Sequence, residues 1–200
     1  MITAEIRKRI IRKGRMAIFS SADFQDLGSS ASVNRVLSRL ASQGMIRRLT
    51  RGIYDYPKYF PIWGVNAPFL PDVAEAIVRK KGQILQISPS RAANSLGLSN
   101  QVPAQYVYMT DGASRTVMVR GRSIEFRKAA PSTLVGAGQM TGAVFQALRC
   151  FGKRRVTDRM IGWLADNLKE KDKQLLAKQS RHVQAWMRPI IRQIAERPVH

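Results

Sequence analysis

The sequence predicts an α+β protein of two domains, and three observations lead to this assignment. The composition is that of a folded globular chain, since 44% of the 200 residues are hydrophobic and 24% are charged. The apolar pattern changes along the chain, from helical spacing to short β-prone runs and back to helical spacing. Residues 56–61 contain two prolines, which interrupt regular structure. We therefore expect one domain at residues 1–58 and another at residues 59–200.

The first domain is predicted to begin with three helices. Residues 3–13 form the first, residues 20–27 a short second and residues 29–43 the third. A pair of serines stands at the start of both the second and the third helix, where a hydroxyl can cap the free backbone N–H groups. A glycine follows each helix and can adopt the left-handed conformation that ends it.

The third helix divides into two faces. Its apolar residues follow the spacing i, i+3, i+4, i+7, which gives one stripe for burial: Val33, Val36, Leu37 and Leu40. Ser32, Arg35, Arg39 and Ser42 lie on the opposite face. Residues 45–56 then place two β-prone runs around a basic turn at residues 50–52, which predicts a hairpin. Three helices followed by a basic hairpin are the order of a winged helix-turn-helix.

This order favours DNA binding, because a recognition helix offers short polar and Arg side chains to a major groove. Arg35 and Arg39 are the main candidates for groove contact, and Ser32 and Asn34 are secondary candidates. The wing would lay three further cations along the DNA backbone or minor groove, namely Arg47, Arg48 and Arg51. Two other interpretations remain open: a helical module with a solvated basic face, and a winged helix that binds protein.

The second domain is predicted to hold a small antiparallel sheet followed by helices. Strands are expected at residues 84–87, 106–110, 116–119 and 124–127. Helices are expected at residues 71–80, 89–96, 137–151 and 157–168, and a long one at 171–196 with a bend at Pro189.

The net charge of +21 calls for an anionic partner, because 34 Lys and Arg face only 13 Asp and Glu. Nucleic acid is the first candidate, and an anionic membrane surface is the second. Each basic cluster of the second domain is explained equally well by a solvated face, but together they suggest a second nucleic-acid surface. Its members are Arg79, Lys80, Lys81, Arg120, Arg122, Lys153, Arg154 and Arg155.

Several functional classes are disfavoured by the sequence. The single cysteine, Cys150, excludes a disulfide framework and suits a reducing compartment. No apolar run is long enough to span a bilayer and no secretory signal opens the chain, so we expect a cytoplasmic protein without a membrane partner. An amphipathic C-terminal helix could lie on a membrane, but this would not explain the helix-turn-helix. Because His and carboxylate residues form no catalytic or metal-binding cluster, we expect no enzyme, metal site or cofactor.

Residues 92–112 carry a pattern that resembles a known family. The pattern comprises Leu96-Gly97-Leu98, then Gln101-Val102-Pro103, and finally Thr110-Asp111-Gly112. It resembles the central signature of AbiEi-like antitoxins from type IV (abortive infection) toxin–antitoxin systems, and residues 46–54 resemble the wing of their N-terminal helix-turn-helix. The resemblance covers roughly residues 1–150.

This resemblance implies a specific function for each domain. The N-terminal domain would repress its own operon at inverted repeats in the promoter. The C-terminal domain would neutralise a nucleotidyltransferase-like toxin, in many cases without a stable complex. Three alternatives remain open: an orphan regulator without a toxin, a non-specific DNA-binding protein and an RNA-binding basic protein.

Overall fold

The computed structural model describes residues 2–62 and 64–197, and these residues form a mixed α+β structure, as predicted. The chain divides into two compact units. The first contains Met1–Gln83 and Thr116–Ile124, and the second contains Ile84–Arg115 and Glu125–His200. The first unit thus extends beyond residue 58, where the prolines placed the expected boundary.

The first unit opens with a helix and a short strand, and its elements follow one another with short connections. They are α1 (Ile2–Lys13), β1 (Ile18–Ser20), a 3-10 segment (Ser21–Leu27), α2 (Ser30–Ser42), β2 (Arg47–Thr50), β3 (Ile53–Asp55), β4 (Tyr59–Phe60), β5 (Gly64–Val65) and α3 (Leu70–Arg79). The second predicted helix is the 3-10 segment, which a non-helical backbone at Phe24 interrupts. The third predicted helix is α2, capped by Ser29.

Strands β1, β3 and β2 form an antiparallel sheet in that order. The predicted hairpin is confirmed as β2 and β3, and its register shifts between Arg48 and Thr50. Strand β1 was not predicted, because three residues are too short a run for an alternating pattern to be recognised.

The core of the first unit lies where α1, the 3-10 segment and α2 meet the hairpin. The whole predicted apolar stripe of α2 is buried there, and Phe19 and Phe24 pack edge to face with their ring centroids 5.7 Å apart. Helix α3 packs against β1 and β3 and buries Leu70, Val73 and Ile77. Each fully buried side chain of this size contributes about 1.5–3 kcal/mol.

The second unit combines short strands with helices. From Gln86 onward the elements in chain order are β6 (Gln86–Ile87), α4 (Pro89–Ser95), β7 (Tyr106–Thr110), β8 (Arg115–Val119), β9 (Arg122–Lys128), α5 (Pro131–Leu134), α6 (Met140–Phe151), α7 (Asp158–Asn167), α8 (Glu170–Gln179), a 3-10 turn (Ser180–His182) and α9 (Met187–Glu196). The four strands form one sheet in the order β6-β7-β9-β8. Residues 116–124, at the end of the β8–β9 hairpin, are grouped with the first unit.

The prediction of one long helix at residues 171–196 is wrong. The helix stops at Gln179, and α9 begins at Met187 after an extended residue at Val183. The break allows Val183 and Met187 to be buried against α6 and α7. Pro189 lies in the first turn of α9, where its missing N–H costs no hydrogen bond, and so it does not bend a longer helix.

The helix predicted at residues 137–151 begins only at Met140. Gly136 and Gly138 adopt φ of +70° and +73°, which are incompatible with a right-handed helix. Across residues 2–62 and 64–197, no helix combines the length and the apolar character needed to cross a membrane.

Candidate nucleic-acid interface

The outer face of α2 presents the side chains that the sequence singled out. Because the opposite stripe is buried, Asn34, Arg35 and Arg39 are exposed. Arg35 makes no hydrogen bond or ion pair to any residue that the structure describes, so its guanidinium is available to a ligand. The Arg39 guanidinium instead donates to the Thr3 hydroxyl at 2.7 Å, which ties it to α1.

Ser32 is half-buried and takes part in capping the helix. The Ser29 hydroxyl accepts a hydrogen bond from the Ser32 backbone N–H at 3.3 Å and donates one to the Ser32 hydroxyl at 3.0 Å. Ser32 therefore orders the first turn of α2 and has less freedom than Arg35 to contact a base.

Arg47 faces inward from the hairpin. Its Nε and Nη2 atoms donate to the two carboxylate oxygens of Asp55 at 3.1 and 2.5 Å, and Nη2 also donates to the Asn66 carbonyl at 2.9 Å. The Asp55 side chain is 1% exposed and that of Arg47 is 17% exposed. This bidentate pair joins opposite positions of β2 and β3, so Arg47 stabilises the hairpin, and the outward cations of the hairpin are Arg48 and Arg51.

Two lysines that follow α3 lie near the outward cations of the hairpin. Lys80 lies so close to Gly52, at the turn of the β2–β3 hairpin, that a Cβ on this glycine would collide with the Lys80 ammonium. Burial lowers the pKa of Lys80, and the positive charges of Arg51, Lys81 and Arg48 lower it further. Repulsion of this kind requires that the charges lie near one another. We call these four residues, Arg48, Arg51, Lys80 and Lys81, the wing cluster.

Two acidic residues of the first unit, Asp26 and Asp55, are paired with arginines outside the cluster. Asp26 accepts two hydrogen bonds of 2.7 Å from Arg9, which hold the pKa of its carboxyl below the ordinary value. Asp55 is paired with Arg47, as described above. Within the described residues, no member of the wing cluster forms an ion pair with a carboxylate.

Asp23 binds three separate elements of the first unit. Its carboxylate accepts hydrogen bonds from the backbone N–H and hydroxyl of Ser20, at 2.8 and 3.3 Å. Arg79 lies 3.2 Å from the same carboxylate and Lys13 lies 3.9 Å from it. Arg79 therefore anchors the end of α3, which places Lys80 and Lys81 at the wing.

The proposed second basic surface is divided between the two units. Arg79, Lys80, Lys81, Arg120 and Arg122 belong to the first unit. Arg120 and Arg122 are exposed and flank Gly121 at the β8–β9 turn, where Arg120 adopts a φ of +51°. Lys153, Arg154 and Arg155 lie in the second unit; all three are exposed, and the Arg155 Nε donates to the Phe151 carbonyl at 2.9 Å.

The sequence did not reveal that Lys80 joins the wing, because this contact depends on how α3 folds back against β1 and β3. The inward role of Arg47 had a signal, since the hairpin register places an acidic residue opposite it. Among residues 2–62 and 64–197, no three His, Cys, Asp or Glu side chains are grouped as they would be in a metal site.

Comparison with known protein families gives one result. A model described as a family of unknown function (DUF6088) matches residues 5–176, and the chain therefore belongs to this family. No curated protein matches the sequence.

Proposed function

We propose that the chain is a DNA-binding transcriptional regulator whose first unit acts as a winged helix-turn-helix. The observation that carries this proposal is the wing cluster, in which four cations converge without an acidic partner among the described residues. A cluster of this kind is repulsive in the free protein and is stabilised when phosphate groups replace the missing acidic residues.

In the proposed complex, α2 enters the major groove and its buried stripe holds it against the core. Arg35 and Asn34 contact base edges. Arginine pairs favourably with guanine, and asparagine pairs favourably with adenine. Arg39 contacts a phosphate after releasing the Thr3 hydroxyl. The wing cluster lies along the backbone and fixes the orientation of the protein without reading sequence.

The regulatory role rests on the resemblance to AbiEi-like antitoxins. We propose that the protein acts in the cytoplasm and needs no cofactor. It would bind inverted repeats in its own promoter and block transcription, and it would neutralise a nucleotidyltransferase-like toxin, in many systems of this type without a stable complex.

A mobility-shift titration on the DNA upstream of the gene tests DNA binding. It compares the full chain with three variants: Arg35→Ala, Arg51→Ala/Lys80→Ala and Lys178→Ala. The last removes one exposed cation from α8 and matches the charge change of Arg35→Ala. We expect Arg35→Ala to abolish the preference for this DNA over a scrambled competitor. The double variant should weaken binding to both DNAs, and Lys178→Ala should bind like the wild type.

Three results would contradict the proposal in different ways. If scrambled DNA competes equally well, the protein is a non-specific binder, and if RNA competes better, it is an RNA-binding protein. If no DNA binds, the winged helix is a protein-contact module, and the product of the neighbouring gene becomes the partner to test.

The antitoxin role has a separate test. If the adjacent gene encodes a nucleotidyltransferase, its expression should arrest growth and co-expression of this chain should restore growth. We expect Arg35→Ala to restore growth as well as the wild type does when both are expressed from a foreign promoter, because neutralisation is assigned to the C-terminal domain. Absence of such a gene would instead favour an orphan regulator.

A further inference from the structure

The second unit contains a cleft that the proposed DNA interface does not use. It has a volume of about 830 Å³ and lies between the loop after α4 and the exposed side of α7. Binding sites for small molecules are usually clefts of about 300–1,000 Å³. The size of this cleft therefore suits a ligand as large as a nucleotide.

Trp163 of α7 lines the cleft and is held in place although it is not buried. Its indole N–H donates to the Leu96 carbonyl at 2.8 Å. Its ring also lies against Gly97, where a Cβ would be 3.5 Å from the Cζ2 atom of the indole. The side chain nevertheless remains 49% exposed. An exposed aromatic ring that is fixed in this way loses little entropy when a planar ligand stacks on it.

Charged side chains flank Trp163 on the same side of the helix. Arg159 precedes it by four residues and Asp166 follows it by three, so all three share one face of α7. Arg197 reaches the cleft across Gly162, where a Cβ would be 2.9 Å from its Nη1 atom. Among the described residues, Arg159, Asp166 and Arg197 form no ion pair.

The mixture of charges limits the kind of ligand. Two guanidinium groups attract an anion, but the carboxylates of Asp158 and Asp166 line the same cleft and repel a ligand that is only anionic. A suitable ligand combines an anionic part with a flat ring that carries hydrogen-bond donors. A purine nucleotide has these features, since its amino group can donate to a carboxylate while its phosphates meet the arginines.

We propose that this cleft binds a purine nucleotide. The base stacks on Trp163, and a base donor is accepted by Asp166. The phosphates are bound by Arg159 and Arg197. The site is separate from the proposed DNA interface, because all of its residues belong to the second unit.

Binding of fluorescent ATP and GTP analogues to the full chain, followed by anisotropy, tests the proposal. We expect Trp163→Ala to weaken binding about tenfold or more, the effect of losing one stacked base. Trp163→Phe should restore part of the affinity, and Asp166→Asn should change the preference between ATP and GTP. Lys178→Ala removes an exposed cation that does not line the cleft, so it controls for general electrostatic attraction and should bind like the wild type.

Competition experiments separate this site from general attraction to a basic protein. Unlabelled ATP or GTP should displace the analogue at lower concentration than inorganic tripolyphosphate of equal charge, which can occupy the arginines but has no base to stack on Trp163. The proposal is overturned if tripolyphosphate competes equally, if neither analogue binds, or if Trp163→Ala binds as well as Lys178→Ala. Tighter, Trp163-dependent binding of a single-stranded oligonucleotide would overturn the assignment to a free nucleotide. Circular dichroism of each variant identifies any loss of folding.

Discussion

Replacement of Asp55 by alanine should strongly destabilise the first unit. The Asp55 carboxylate is almost completely buried and accepts two hydrogen bonds from the Arg47 guanidinium. Its removal leaves a positive charge that is 17% exposed and whose remaining partner is the Asn66 carbonyl. Breaking a buried ion pair by removing one partner costs about 3–5 kcal/mol. We therefore expect the free energy of unfolding to fall by about this amount.

The assay is equilibrium urea unfolding of the full chain, followed by circular dichroism. Asp26→Ala is the matched control, because it removes a carboxylate with the same bidentate geometry that is 62% exposed and should have a much smaller effect. The double variant Arg47→Met/Asp55→Leu should recover most of the lost stability, since it removes both charges and keeps apolar volume. Equal effects of Asp55→Ala and Asp26→Ala would refute the reasoning. So would a double variant that is as unstable as Asp55→Ala.

Three further predictions concern the charged groups of the first unit. Gly52→Ala should lower the free energy of unfolding, because φ at this residue is +72°, and should lower DNA affinity, because the new Cβ displaces Lys80. Urea unfolding and mobility shifts measure the two effects, and unchanged values would contradict the contact between Gly52 and Lys80. The pKa of Asp26 is lowered in the folded protein, so its contribution to stability is present at neutral pH and is lost as the pH falls through that lowered pKa. In urea unfolding at a series of pH values, Asp26→Asn should remove this loss of stability at acidic pH. DNA phosphates should raise the pKa of Lys80 back towards its ordinary value, so binding should take up protons at alkaline pH just below the ordinary lysine pKa. Calorimetry in two buffers measures this proton uptake, and Lys80→Arg should abolish it.

Local signals in the sequence predicted most helices and hairpins correctly. A serine cap and a glycine terminator mark the two ends of α2, and Gly121 lies at the turn between β8 and β9. These features depend only on neighbouring residues, so the sequence contains all that is needed to recognise them. The same applies to Thr157 at the start of the helix predicted at residues 157–168, since its hydroxyl caps α7 by accepting a hydrogen bond from the Met160 backbone N–H.

Features that depend on contacts between distant residues were missed. Strand β1 exists because Phe19 pairs with Tyr54 across the sheet, and its own three residues give no pattern. The break before α9 depends on the burial of Val183, which helical periodicity alone does not reveal. At the candidate DNA interface, the sequence predicted DNA contacts for Arg35, Arg48 and Arg51, and these side chains are exposed. The proximity of Lys80 depends instead on the position of α3.

The first unit is assembled from two separate segments of the chain, Met1–Gln83 and Thr116–Ile124. During synthesis this unit cannot become complete until Ile124 has left the ribosome, although α2 and the wing are made much earlier. At about 5–20 residues per second, the 41 residues between Gln83 and Ile124 correspond to a delay of about 2–8 s. Throughout this interval the wing cluster is already outside the ribosome, where the nearest abundant polyanion is ribosomal RNA.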